Sequence, residues 1–375
     1  MTDTLRIVAD ENMPGLASFS EFGELVTLPG RQIRQADLQQ AEVLLVRSVT
    51  RVDAALLAGT PVRFVGSATI GTDHIDLPAL QHSGIRFAHA PGCNAIAVAE
   101  YVLQAALAWA VANRRRIGDM RVAVIGLGQV GSRVANLFAA LGAQICPVDP
   151  PRAAAADRAW PWQSLSEVLD ADLITLHVPL TDAAEHSTRH MIDASILARL
   201  TPTQLLINTS RGAVIDNHAL LDADPHRLPA LVLDVWEQEP LVPRALFQRV
   251  RLGTPHIAGY SVQGKWRGTL MLHQALQQFL GVQLPLPTLP ISELLLPWSL
   301  QDEAALLALL RYRYPQQADH QALQAQLDQG AEAFDRLRKH YPARHELSGI
   351  TLTGALAAPL RPLAALLGVQ VTQRA

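Results

Sequence analysis

The chain has 375 residues, of which 49% are hydrophobic, 17% are charged and 5% are aromatic. This length suits two or three domains, and the composition excludes disordered, collagen-like and coiled-coil proteins. Because the formal net charge is −3 and the only cysteines are Cys93 and Cys146, we expect neither a nucleic-acid-binding protein nor a disulfide-stabilised secreted one. Glu100 and Gln104 interrupt the longest apolar stretch, and acidic residues interrupt the N-terminus. We therefore expect no membrane span, no signal peptide and a cytoplasmic location.

Short apolar runs alternate with segments of helical spacing in the first part of the chain. The runs are bounded by turn residues and predict the strands Leu5–Ala9, Val43–Arg47, Val62–Ser67 and Ile85–His89. The segments between them predict the helices Gln35–Gln40, Val52–Ala58 and Ile75–His82. This alternation favours a parallel sheet with helices on both faces.

A second series of the same kind follows a long predicted helix, Ala95–Ile117, whose end is indicated by three arginines and Gly118. Its predicted strands are Arg121–Ile125, Gln144–Val148, Leu173–His177, Gln204–Asn208, Leu231–Asp234 and Val250–Leu252. Prolines after Gly281 then predict a linker, and a strand at Gly349–Thr353 with helical spacing before it predicts a small domain over residues 285–375. The predicted fold class is α/β, with two doubly wound parallel-sheet domains and a small α+β C-terminal domain.

A glycine motif lies between a predicted strand and a predicted helix. Gly126, Gly128 and Gly131 form GxGxxG directly after the strand Val122–Ile125, and Ser132–Leu141 has helical periodicity. The first glycine permits a tight turn, the second lets the backbone approach a pyrophosphate, and the third lets the helix pack closely on the strand. In this context the motif predicts a dinucleotide-binding site.

Asp149 ends the next predicted strand, eighteen residues after Gly131. A carboxylate at that position would accept hydrogen bonds from the adenosine ribose and repel a 2′-phosphate, which selects NAD over NADP. The alternative is that Asp149 is a turn residue before Pro150.

Polar side chains follow three predicted strands of the second series. They are Arg211 in segment 206–212, Glu239 in segment 233–240 and His256 in segment 254–259. Because the carboxyl ends of parallel strands share one edge of a sheet, we expect these residues to converge. Arg211 would clamp a substrate carboxylate, His256 would take a hydroxyl proton and Glu239 would orient His256. These groups suit the oxidation of a 2-hydroxy acid; the alternative is a structural ion-pair network.

The three segments resemble the D-2-hydroxyacid dehydrogenase family. The resemblance implies that Arg211, Glu239 and His256 are catalytic and that Asp234 contacts the nicotinamide amide. It covers about the first 285 residues. It implies a discontinuous substrate-binding domain over residues 1–93 and 259–284, and an NAD-binding Rossmann domain over residues 94–258.

Further segments, at 47–50, 66–74, 92–95 and 259–269, resemble one branch of that family, which acts on a phosphorylated 2-hydroxy acid. This closer resemblance implies substrate contacts from Ser48, Thr69 and Tyr260. The NAD site is expected to comprise Gly126, Gly128, Gln129, Val130, Gly131, Asp149, Val178, Thr209, Ser210, Arg211, Asp234 and Gly259. Residues 334–341 resemble the additional C-terminal dimerisation domain of that branch, which implies a homodimer through residues 285–375.

A phosphorylated substrate requires cations. Arg47 ends a predicted strand of the first domain, where it would face the cleft, and we expect it to contact the substrate anion. Lys265 and Arg267 are further candidates for contact with the substrate anion.

His186 and His190 have the spacing of a metal-binding pair, but no third ligand accompanies them in a motif, so we expect no metal site.

Two other functions remain open at this point. One is a different D-2-hydroxyacid dehydrogenase, of the phosphoglycerate or hydroxypyruvate type. The other is a non-catalytic NAD-sensing protein built on the same fold.

Among the other polar residues, we expect Asp73, His74 and Asp76 to cap or begin a helix rather than to react.

Overall fold

The computed structural model describes residues 5–155, 157–182 and 185–372. Its β-strands, in chain order, are β1 (Leu5–Asp10), β2 (Gly23–Leu28), β3 (Val43–Val46), β4 (Phe64–Ser67), β5 (Arg86–His89), β6 (Arg121–Ile125), β7 (Gln144–Val148), β8 (Leu173–Leu176), β9 (Leu205–Asn208), β10 (Ala230–Leu233), β11 (Leu252–Gly253), β12 (Leu294–Leu296), β13 (Ile350–Leu352) and β14 (Gln370–Val371). Its α-helices are α1 (Ala54–Leu57), α2 (Leu77–His82), α3 (Ala95–Ala112), α4 (Gln129–Ala140), α5 (Pro150–Ala154), α6 (Ala194–Leu197), α7 (Asn217–Asp222), α8 (Arg244–Phe247), α9 (Val262–Leu280), α10 (Glu303–Arg313), α11 (Gln316–Gln324), α12 (Ala331–Lys339) and α13 (Arg361–Leu366). The chain divides into two compact units, one formed by residues up to Asn94 with Ser261–Ile291, the other by Ala95–Tyr260 with the residues from Ser292 onward.

The first unit is built on a five-stranded parallel sheet in the order β2-β1-β3-β4-β5. The late helix α9 returns to this unit and buries Leu272 and Leu276 in the same cluster as Ile7 and Phe64. The chain therefore leaves this unit after Asn94 and comes back to it at Ser261.

The sequence prediction of this unit needs two corrections. Strand β2 was not predicted, because it is a half-exposed edge strand in which Glu24 and Thr27 interrupt the apolar run. The segment Gln35–Gln40, predicted as a helix, forms only a 3₁₀ turn at Gln35–Leu38. The other predicted strands and helices form within a few residues of their predicted ends.

The second unit contains a six-stranded parallel sheet in the order β11-β10-β9-β8-β6-β7. All of its neighbouring strands pair in parallel, and β8 and β9 have every residue buried, as expected for strands covered on both faces. The C-terminal residues add a parallel three-stranded sheet in the order β12-β13-β14 with helices around it. The predicted fold class is confirmed.

Helix α3 ends at Ala112, five residues before the predicted Ile117. Arg114 has a φ of 55°, so the chain turns through a left-handed residue before the arginine run is complete. By length and composition α3 is apolar enough to cross a membrane, which the sequence prediction did not expect. However, 78% of it is buried inside the fold, which is typical of the core helix of a soluble protein.

The C-terminal residues pack against α3 within the second unit. Leu306, Leu310 and Leu363 share one buried cluster with residues of α3 and α4. Two amides fix the contact: the Gln104 side chain donates to the Tyr314 carbonyl at 2.8 Å, and the Gln316 side chain donates to the carbonyl of Tyr101 at 2.9 Å. This region is thus anchored to the helix that precedes the six-stranded sheet.

Candidate active site

The glycine motif forms the expected turn between β6 and α4. Gly126 has a φ of 85°, a conformation that favours glycine, and a Cβ on Gly131 would lie 1.8 Å from the carbonyl oxygen of Gly126. A Cβ on Gly128, the N-cap residue of α4, would meet no atom within 4 Å. Two glycines are therefore required by the protein itself, whereas Gly128 leaves open space at a helix N-terminus, which suits a bound phosphate group.

The other predicted cofactor residues lie at the carboxyl ends of the same sheet. Asp149 follows β7, and its carboxylate accepts from the amide of Leu127 at 2.8 Å and from the amide of Arg152 at 3.2 Å, so it also caps α5. Thr209 follows β9, and its buried hydroxyl oxygen has no hydrogen-bond partner among the described residues. An orphaned buried hydroxyl and an open glycine position are features that a bound dinucleotide would satisfy.

The remaining residues of that set fall into the same region. Gln129 and Val130 open α4, and Val178 lies two residues after the end of β8. Ser210 is buried and donates its hydroxyl to Asn208 Oδ1 at 2.8 Å. Gly259 follows His256 in the loop after β11. The sheet therefore brings the predicted cofactor residues to one edge.

Arg211 is held in place by a close approach of two loops. A Cβ on Gly212 would lie 2.0 Å from the carbonyl carbon of Trp236, so only glycine allows the loop after β9 to lie against the loop after β10. The Arg211 carbonyl accepts from the Asn208 side chain at 2.9 Å, and its guanidinium donates to the Ser210 carbonyl at 2.8 Å. Arg211 thus lies on a loop whose backbone, at Gly212, packs directly against the loop that carries Glu239.

Glu239 and His256 form a hydrogen-bonded pair, with 2.6 Å between Glu239 Oε1 and His256 Nδ1. Burial alone would raise the pKa of Glu239. The charge and hydrogen bond of His256, the charge of Arg338 and the amide of Trp236 together bring that pKa below its ordinary value. The carboxylate is therefore ionised, Nδ1 carries the proton of the hydrogen bond, and Nε2 is the ring nitrogen for exchange with a substrate.

The loop that carries His256 is organised by Asp234. We call residues Thr254–Tyr260 the catalytic loop. The buried Asp234 carboxylate accepts from the Thr254 hydroxyl at 2.6 Å and from the amides of Ile257 and Ala258 at 2.8 Å each. His256 has a φ of 55°, a strained conformation that these hydrogen bonds hold in place. Asp234 thus has a structural role that the sequence did not reveal, beside its predicted contact with nicotinamide.

Three predicted substrate residues lie in the first unit. Arg47 forms an ion pair with the fully buried Asp10, with 3.1 Å between Nε and the carboxylate, so its charge is already matched within the protein. Ser48 is exposed, and the hydroxyl of Thr69 lies 2.7 Å from that of Ser67 and donates to the Gly71 carbonyl at 2.8 Å.

Other polar residues of this unit have structural partners. His74 bonds to the Ser67 hydroxyl at 2.9 Å, and the Asp76 side chain caps α2, as expected for a helix-initiating residue. Arg267 donates to the Cys93 carbonyl at 2.7 Å.

The sequence missed a second histidine–carboxylate cluster. His190 lies beside Asp216 and Glu237, and the potential ligand atoms of these three residues are all within 4.8 Å of one another. Glu237 Oε1 is 2.6 Å from His190 Nε2, and its other oxygen accepts from the Asn217 amide at 3.1 Å. The spacing of His186 and His190 gave no hint of this, because the partners of His190 come from distant segments. Through these hydrogen bonds, Glu237 connects the segments that carry His190 and Asn217, which is a structural role.

Comparison with known proteins agrees with this geometry. Residues 96–258 match the family model described as D-isomer specific 2-hydroxyacid dehydrogenase, NAD binding domain, and residues 285–367 match a domain of unknown function (DUF3410). Among solved structures, D-lactate dehydrogenase from Aquifex aeolicus, complexed with NAD and lactic acid, has a TM-score of 0.62 at 24% identity, covering 74% of this chain and 95% of that one. The fold and site therefore define an oxidoreductase of the D-2-hydroxyacid dehydrogenase class.

The similarity to curated proteins extends over nearly the whole chain. The erythronate-4-phosphate dehydrogenase of Aeromonas hydrophila is 46% identical, covering 94% of this chain and 96% of its own. That of Azotobacter vinelandii is 45% identical, covering 98% of this chain and 100% of its own. The chain belongs to the erythronate-4-phosphate dehydrogenase family, which confirms the branch that the sequence segments resemble.

Proposed function

We propose that this chain oxidises the C2 hydroxyl of 4-phospho-D-erythronate to (R)-3-hydroxy-2-oxo-4-phosphooxybutanoate with NAD, a step in the formation of pyridoxal 5′-phosphate. The observation that carries the chemistry is the Glu239–His256 pair, 2.6 Å apart, on the same sheet edge as Arg211 and the glycine turn. The names of relatives that match nearly the whole chain support the substrate. They favour it over phosphoglycerate, hydroxypyruvate and a purely sensory role.

The roles of the three residues follow from their contacts. His256 accepts the C2 hydroxyl proton on Nε2, since Nδ1 is engaged by Glu239. The ionised Glu239 stabilises the protonated ring and fixes its orientation. Arg211 binds the substrate carboxylate with its planar guanidinium and orients C2 for reaction. NAD, when bound, supplies the acceptor for the hydride that leaves C2.

The cofactor is proposed to be NAD rather than NADP. The glycine turn and the N-terminus of α4 would hold the pyrophosphate, with Thr209 as a further contact. Asp149 would bind the ribose hydroxyls with the lone pairs that its two backbone hydrogen bonds leave available, and its charge would repel a 2′-phosphate.

The substrate contacts are proposed to come from Arg47, Ser48, Thr69 and Tyr260. Hydroxyl groups and a cation are suitable partners for a phosphorylated hydroxy acid. Because Arg47 is paired with Asp10, we expect it to share its guanidinium between that carboxylate and the substrate.

We further propose a cytoplasmic homodimer assembled through the C-terminal region. Large apolar side chains are exposed there at Ile291, Leu295, Tyr312 and Leu366, and Leu295 lies on an edge strand of the three-stranded sheet. Sedimentation of the protein and of Leu295→Glu tests this. A dimer that the substitution dissociates supports the proposal, and a monomeric wild-type protein contradicts it.

A substrate panel tests the proposed reaction. NADH formation is followed by absorbance with 4-phosphoerythronate, 3-phosphoglycerate, glycerate and lactate at matched concentrations. We expect kcat/KM to be highest for 4-phosphoerythronate. A tenfold preference for another acid would contradict the substrate, and no turnover with any acid, despite NAD binding, would indicate a sensory protein.

A further inference from the structure

One segment of the C-terminal region contacts the catalytic loop. We call residues Phe334–Leu347 the bracing segment. The Arg344 guanidinium donates to the carbonyl of Ala258 at 3.0 Å and to that of Ala97 at 2.7 Å. The ring of Tyr341 meets that of Tyr260 edge-on, with 5.6 Å between centroids. The loop is therefore held by Asp234 on one side and by the bracing segment on another.

Arg338 is a second charged group of this segment that contacts the catalytic loop. Its guanidinium carbon is 5.7 Å from the ring centroid of Tyr260 and 5.9 Å from that of Phe334, within the range of cation–π contacts. Its Nε is buried and has no hydrogen-bond partner among the described residues. A cation that lies against aromatic rings and away from solvent loses hydration, and a nearby anion offsets that loss. The anions near Arg338 are Glu239 and Asp335.

The electrostatics link Arg338 to the catalytic pair. The charge of Arg338 is one of the causes that hold the pKa of Glu239 down, against the effect of burial. The groups that face Glu239 are His256, Arg338 and the amide of Trp236, and those that face Arg338 are Glu239, Asp335 and Tyr260. Arg338 thus favours the ionised carboxylate on which the orientation of His256 depends.

We propose that Arg338 is a positioning residue of the active site, through which the C-terminal region of the same chain completes the catalytic centre. It fixes the ring of Tyr260 in the loop that carries His256 and adds a positive charge near the Glu239 carboxylate, which orients His256. This assigns to residues 285–367, which match a domain of unknown function, a role in catalysis beside the proposed role in dimer formation. This inference rests on the proposed function only in its activity assay, because the titration described below needs no turnover.

Three variants separate this role from simple packing. Arg338→Met removes the charge and keeps the length, whereas Arg338→Lys keeps the charge. Arg336→Met is the matched control, because Arg336 lies on the same helix, is exposed, and donates to Gln329 at 2.7 Å. Thermal unfolding of each variant shows whether the fold is intact.

We expect Arg338→Met to lower kcat for oxidation about 10-fold or more, as for the loss of a partly buried charge contact, with KM for NAD nearly unchanged. The acid limb of the kcat profile should move to higher pH, because Glu239 takes up a proton more readily without the cation. Arg338→Lys should recover most of kcat and the original limb, and Arg336→Met should match the wild type. Equal profiles for Arg338→Met and Arg336→Met would overturn the inference, as would a loss that Arg338→Lys does not rescue.

A second readout does not depend on turnover. The titration of the Glu239 carboxyl group, followed by NMR, should have a higher midpoint in Arg338→Met than in the wild type, because the charge of Arg338 is one of the causes that hold the pKa of this carboxyl down. An unchanged midpoint would refute the inference even if the wild-type enzyme proved inactive with every acid tested. Inactivity of the wild type with a shifted midpoint would contradict the proposed function alone.

Discussion

Replacement of Glu239 by glutamine removes one charge and keeps the size of the side chain. The distance of 2.6 Å between Glu239 Oε1 and His256 Nδ1 is that of a charge-assisted hydrogen bond, which contributes about 1.5–3 kcal/mol. Because the two side chains are 27% and 31% exposed, solvent screening places the value in the lower part of this range. The loss falls on the transition state, in which His256 gains a proton, so we expect kcat for oxidation to fall about 10- to 100-fold.

The assay is steady-state NADH formation with saturating NAD and 4-phosphoerythronate. Glu237→Gln is the matched control, since Glu237 makes an equally short contact, 2.6 Å, with His190 rather than with His256. NAD affinity, measured by fluorescence titration, should be similar in both variants. A kcat for Glu239→Gln within twofold of the wild type, or equal losses in the two variants, would refute the reasoning.

Four further predictions concern other parts of the site. Arg211→Ala should lower kcat/KM for the acid about 10³-fold, measured by NADH formation, because the proposed contact to the substrate carboxylate is lost. Asp149→Ala should lower the ratio of kcat/KM with NAD to that with NADP about 10-fold or more, and an unaltered ratio would count against the ribose contact. Gly131→Ala should abolish NAD binding in calorimetry, since its Cβ would lie 1.8 Å from the Gly126 carbonyl oxygen. Burial lowers the pKa of His177 to about 3, so the ring stays neutral in the folded protein over a pH range in which it is protonated in the unfolded protein. The free energy of unfolding is therefore unaffected by this ring above about pH 6.5 and decreases as pH falls from 6.5 toward 3. His177→Gln should make the free energy of unfolding less dependent on pH in that window, by up to about 1 kcal/mol per pH unit in denaturation curves.

The sequence predicted the parts of the site that depend on local pattern. The glycine turn, the strand ends and the residues Arg211, Glu239 and His256 could be located because each follows an apolar strand, and parallel strands end at one edge. The strand Gly23–Leu28 was missed for the converse reason, since an edge strand with exposed polar residues lacks an apolar run.

Other features depend on contacts between distant segments or on backbone conformation. The left-handed conformation of His256 arises from hydrogen bonds between its loop and Asp234, twenty-two residues earlier. The charge of Arg338 acts on Glu239, although ninety-nine residues separate them. The pairing of Arg47 with Asp10 is also invisible in the sequence, because it follows from the adjacency of β1 and β3. Such pairs appear only when the topology is known.

The central claim is that the chain removes a hydride from C2 of 4-phospho-D-erythronate while His256 takes the hydroxyl proton. The most direct test is a single turnover with substrate deuterated at C2, with the position of the label read by mass spectrometry. One deuterium is expected in the reduced cofactor for each 2-oxo acid formed, and neither product is expected with His256→Ala. Reduced cofactor without deuterium, or wild-type turnover in His256→Ala, would contradict the claim.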